Sequence, residues 1–122
     1  MSENDNKHIA HQEQLVAIGD DKDIIRRFQI ILKTGMAYSV PYSLLPIVIL
    51  TEDAKLIIRA YGFIAKITGR NLKALDAYLH KERVLFIKES ASGEDTGDAK
   101  IFISNIEVAG KAVSEELRED EY

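Results

Sequence analysis

The sequence predicts an α+β protein: a mostly antiparallel sheet, curled in the limit into a small barrel, with one main helix at about residues 71–82 packed on it. Three observations lead there. Short runs rich in isoleucine and valine recur, separated by turns that carry glycine and aspartate. One segment, Asn71 to Glu82, has an unbroken helical stripe, with Leu72, Leu75 and Leu79 at i, i+3 and i+7. The 122 residues are 46% hydrophobic and 30% charged, a globular composition long enough for one core.

Taken in order, residues 1–14 are polar and read as a loose arm, and Leu15 to Ile18 as a short helical extension that Gly19-Asp20-Asp21 breaks. In Asp23 to Gly35, Ile24, Ile25, Phe28, Ile31 and Leu32 fit a helical stripe, while Phe28, Ile30 and Leu32 alternate. A hairpin is favoured, because β-branched residues and the turn at Lys33-Thr34-Gly35-Met36 agree with it. Pro41 and Pro46 then confine the second strand to an edge or split it.

Thr51 to Gly69 also admits a helix, capped by Thr51. Strands Leu56 to Tyr61 and Phe63 to Thr68 meeting near Gly62 are preferred, since glycine in mid-helix costs roughly 1 kcal/mol against alanine. Asn71 to Glu82 is the helix, with Asn71 as a side-chain N-cap. Arg83 to Glu89 switches to a strand, Ser90 to Lys100 is a surface loop, and Ile101 to Val108 is a last strand kinked at Ser104-Asn105. Residues 15–113 therefore form a single domain, followed by an acidic tail, 114–122.

The net charge of -4 belongs entirely to that tail, where Glu115, Glu116, Glu119, Asp120 and Glu121 face Arg118 alone. Residues 51–89 hold a thin excess of Lys and Arg, too dispersed for a nucleic-acid footprint. With no cysteine, disulfides, thiolate metal sites and thiol nucleophiles are excluded. The N-terminus lacks an apolar signal core, and Leu44 to Leu50 is too short to span a bilayer. A cytoplasmic protein with no membrane contact is expected.

Two places invite a functional reading. Gly69-Arg70-Asn71 opens the helix, where backbone amides, the helix dipole and a guanidinium can converge on an anion. Against this, Asn71 as a side-chain cap satisfies those amides, and a phosphate loop wants more glycine. The other place is the uncharged stretch from Thr34 to Leu50. Alternation puts Tyr38, Val40 and Tyr42 on one face of a proline-limited strand, followed by Leu44 and Leu45. They form either core or a self-association edge.

Catalytic signals are thin. Ser39 and Ser43 lack a nucleophile elbow, Asp76 and His80 make an ordinary i, i+4 pair, and His8 with His11 lacks further metal ligands. Glu52-Asp53 and Glu94-Asp95 read as solvated turn acids. No catalytic residue, cofactor or metal site is assigned. Phe28 to Gly35, an F-x-I-x-L-K-x-G run, resembles the first hairpin of Sm-like small barrels. The likeness ends with those residues, without the basic loops of an RNA-binding member, and no family is assigned. The expected function is non-enzymatic, through protein contacts and homo-oligomers. The alternative is a barrel that binds an anionic ligand or nucleic acid through residues 51–89, and an enzyme with a site still to be assembled comes third.

Overall fold

Local chemistry divides the described residues into short strands with one main helix between them. The computed structural model of the protein describes residues 13–113. Its elements are β1 Val16–Ile18, β2 Arg27–Ile31, β3 Ala37–Pro41, a 3-10 turn Tyr42–Leu44, β4 Ile47–Leu50, β5 Leu56–Ala60, β6 Phe63–Arg70, α1 Leu72–His80, β7 Val84–Lys88 and β8 Phe102–Ala109. The strands make two four-stranded sheets, ordered β1-β7-β2-β3 and β4-β5-β6-β8. All pairs are antiparallel except β2 with β7. The α+β class is as expected, with two sheets in place of a closed barrel.

Both ambiguous segments are hairpins. In the first, the Gly35 N–H donates to Leu32 O at 2.8 Å, and Gly35 takes φ 94°, a conformation glycine enters without a Cβ penalty. The second is β5–β6, which turns at Tyr61-Gly62 with Gly62 at φ 69°; the turn before it, Thr51 to Lys55, closes with Ala54 N–H on Thr51 O at 3.0 Å and Thr51 N–H on Lys55 O at 2.8 Å. Leu15 to Ile18 departs from expectation: Val16–Ile18 is strand β1, not a helical extension. Three residues are too few to sustain a helix against the ladder that β7 offers, where Lys88 N–H reaches Leu15 O at 2.7 Å. Glu13, placed by sequence in the arm, accepts hydrogen bonds from Ala91 N–H and Ser90 Oγ.

One continuous core runs through both sheets. Phe28, Ile30, Leu56, Ile58, Ile67, Val84, Ile87 and Ile103 are fully buried in it. Helix α1 adds Leu72, Leu75 and Leu79, as its periodicity requires, and packs against β4 and β7. The last strand bends where expected: Thr68 pairs with Asn105 and Gly69 with Ile103, so Ser104 is left over as a bulge. Its hydroxyl donates to Thr68 O at 2.9 Å.

The sheets are joined by one buried carboxylate. Glu89, just past β7 and 4% exposed, accepts Lys33 N–H on Oε1 and Ile106 N–H on Oε2, both at 2.9 Å. Its own N–H donates to Ile31 O at 2.8 Å, and the next amide, Ser90 N–H, donates to Ile103 O at 2.9 Å. Two consecutive residues thus fasten β2 to β8.

One turn is strained. Ala54 is held at φ 61° in the position a three-residue hairpin loop normally gives to glycine. Ala54→Gly removes the left-handed penalty at the cost of some unfolded-chain entropy. It is expected to raise stability by roughly 0.5–1 kcal/mol in urea unfolding.

Candidate functional site

The chain passes from one sheet to the other between β3 and β4, and that crossing builds the most distinctive surface. β3 ends at Pro41, and the ladder to β2 makes its last bond one residue on, from Tyr42 N–H to Arg26 O at 2.9 Å. Tyr42 then turns inward. Its ring packs on Phe28 at 5.0 Å between centroids, and its hydroxyl donates to Val84 O at 2.9 Å and accepts Val84 N–H at 3.1 Å. Burial pushes the phenol from 10.0 up to about 12, with the nearby Glu82 charge adding to the rise; the Val84 hydrogen bond and Arg83 pull it back in part.

With Tyr42 fixed inward, the next residues turn out. Leu44 is 55% exposed and Leu45 77%. Leu45 sits in the left-handed region at φ 50°, its N–H on Tyr42 O at 2.9 Å. Pro46 leads into β4, whose outer side chains Ile47 and Ile49 are also exposed. Tyr61, at the tip of the β5–β6 hairpin, is 94% exposed.

Of the five residues expected at an association edge, three do not present themselves. Val40 and Tyr42 are buried, and Tyr38 is half-buried with its ring on Phe63 at 5.2 Å. The face these three share points into the core. The second sheet covers it, which sequence alternation cannot reveal. Leu44 and Leu45 do present themselves, joined by Ile47, Ile49 and Tyr61.

Both strands of the crossing lie at sheet edges. Hydrogen bonds from Leu32 N–H to Met36 O and from Tyr42 N–H to Arg26 O fix the phase of β3. The backbone groups of Ala37, Ser39 and Pro41 therefore point away from β2. The same construction from Thr51 N–H on Lys55 O turns Pro46, Val48 and Leu50 away from β5. Each proline thus stands where an N–H would otherwise face outward, the placement that edge strands allow.

Two hollows flank the ridge. One of about 150 Å³ lies beside the β3 edge, against Tyr38, Val40, Leu44, Tyr61 and Phe63. The other, about 240 Å³, lies between β4 and α1; Phe28, Tyr42, Val48 and Leu79 line it, with Asp76 and His80 also on its wall. Among the described residues no hydrogen bond joins Asp76 to His80, and no group of three or more His, Asp or Glu is placed to hold a metal. His8 and His11 lie outside the described residues.

The structure sets Gly69-Arg70-Asn71 against the loop from Ser90 to Lys100 and the start of β8. Arg70 grips Asp95 through Nε at 2.6 Å and Nη2 at 3.0 Å, and Nη2 also donates to Ala99 O at 2.6 Å. Asn71 is not a side-chain cap: at φ 60° it makes no bond to the helix, and its Nδ2 donates to Lys100 O at 3.0 Å. A Cβ on Gly69 would overlap the Phe102 carbonyl, so glycine is what lets β8 approach β6. Arg70 and Asn71 tie down the loop from Ser90 to Lys100. Asp95 is held below its ordinary 3.8 by the Arg70 hydrogen bonds and then by Gly97 N–H, and Arg70 is raised in turn by Asp95.

Other cations of residues 51–89 are also paired. Lys55 lies 3.5 Å from Asp53, Arg83 3.7 Å from Asp21, and Lys88 4.0 Å from Glu13. Among the described residues no helix is long and apolar enough to cross a membrane. No family model matches the chain, and neither does any curated protein or solved structure.

The Tyr42 anchor has a pH signature. The unfolded chain releases that proton near 10, while the folded state holds it to about 12. Its contribution is therefore complete below pH 10 and is lost as pH rises from 10 to 12. Urea unfolding should show Tyr42→Phe weaker by about 1–3 kcal/mol at neutral pH, because two buried Val84 groups lose their partner. The variant should also decline less steeply than the wild type across the alkaline window.

Proposed function

We propose that the protein is a small non-enzymatic module that acts through protein contacts and assembles with copies of itself. The contact surface is the ridge of Leu44, Leu45, Ile47, Ile49 and Tyr61. The observation that carries this reading is the conjunction of large exposed apolar side chains with a stretch, Thr34 to Leu50, that holds no charge. Monomers usually put lysine or glutamate on such edges. Leu45 sharpens the point: leucine pays about 1–2 kcal/mol for the left-handed region and is exposed there, a combination without benefit to an isolated chain. A charge-free, cysteine-free contact surface suits a reducing cytoplasmic setting.

The alternative, an anionic ligand or nucleic acid held by residues 51–89, has less support. Half of the eight Lys and Arg in that range lie within ion-pair distance of a carboxylate of the same chain, and Arg70 is among them.

Sedimentation at micromolar concentration is expected to show a dimer or larger ring. Leu45→Asp should leave the fold intact, since aspartate tolerates the left-handed region better than leucine, and should shift the chain to monomer. A wild type that sediments as a monomer, or a Leu45→Asp variant that still associates, contradicts the reading.

A further inference from the structure

We infer that the copies pair through the edge of β3 that no described strand covers, antiparallel and around a two-fold axis at Ser39. This rests on the self-associating reading above and adds the mode of contact.

The backbone supplies the donors and acceptors. Ala37 and Ser39 are exposed, and their N–H and C=O groups point away from β2, together with the carbonyl of Pro41. Laid antiparallel on a second copy, Ser39 exchanges both bonds with the partner's Ser39. Ala37 N–H then meets the carbonyl of the partner's Pro41 at either end. Proline lacks a donor but keeps its acceptor, so this register loses only the bond that Pro41 can never make. An axis at Pro41 would set two residues without N–H against each other.

The side chains agree with the same axis. The strand reads Ala37, Tyr38, Ser39, Val40, Pro41, small and large alternating symmetrically about Ser39. Reversed, it places small residues against small on the outer face and Tyr38 against the partner's Val40 on the inner face. An axis at Tyr38 instead sets the two Tyr38 side chains directly opposite, although each ring is already packed on its own Phe63. Because Thr34 to Leu50 is uncharged, no like charges meet at the axis. The hollow of about 150 Å³ beside Tyr38, Val40 and Phe63 opens along the same edge.

The absence of cysteine makes the test clean in the full-length chain. Residues opposite each other in a bonded antiparallel pair lie about 5.5 Å apart at Cα, inside the disulfide range of about 4.4–6.8 Å. The two copies of Ala37 would be offset by four residues, roughly 13 Å. Under mild oxidation Ser39→Cys is expected to give a covalent dimer on a denaturing gel, and Ala37→Cys little or none. A chain that sediments as a dimer while Ser39→Cys fails to cross-link overturns the β3 pairing and leaves self-association standing. Equal cross-linking at both positions also overturns it, because the contact would then have no register. A chain that sediments as a monomer overturns both.

Discussion

Glu89 holds together what the sequence otherwise leaves as two separate sheets. Its carboxylate is nearly removed from water, which is costly for a charge unless hydrogen bonds replace hydration. Here each oxygen accepts a backbone amide, one from Lys33 beyond β2 and one from Ile106 within β8. Charge-assisted bonds of this kind are the stronger class. Ser90 extends the join by donating to Ile103 O, and the shared core can then close between sheets whose relative position is set.

The second fastening lies at Tyr42. Its hydroxyl binds both backbone groups of Val84, so the crossing from β3 to β4 is pinned to β7, the strand that ends at Glu89. β7 is thus tied to both sheets, once at its start and once at its end. This arrangement also explains the exposed ridge. A short crossing that must bury Tyr42 and begin again at Pro46 has no room to bury Leu44 and Leu45 as well. The apolar surface left outside is a geometric consequence of the anchor within, and it carries the proposed self-association.

Much of this was legible in the sequence where the signal is local. Hairpins at Gly35 and Gly62, the Leu72-Leu75-Leu79 stripe and the break at Ser104 all depend on neighbours a few residues away. What could not be read depends on distant ones. Leu15 to Ile18 becomes a strand because β7, about seventy residues later, offers a ladder. Asn71 leaves its helix amides for a carbonyl 29 residues on. Val40 and Tyr42 occupy the predicted common face, but only the second sheet determines that the face is the inner one. Glu89 gave only a faint sign: in sequence it is the polar end of a strand before a polar loop. The one available hint is that it ends an apolar run from Val84 without a turn residue of its own.

The central claim is that one carboxylate fastens the two sheets, and native-state hydrogen exchange on Glu89→Ala tests it most directly. The substitution orphans the part-buried amide of Lys33 and the buried amide of Ile106; a buried amide left unsatisfied costs about 1–3 kcal/mol. Both amides should lose protection together, with urea unfolding showing a loss on the order of 3 kcal/mol. Retained protection at both, with stability within about 0.5 kcal/mol of the wild type as for an ordinary surface substitution, would contradict it.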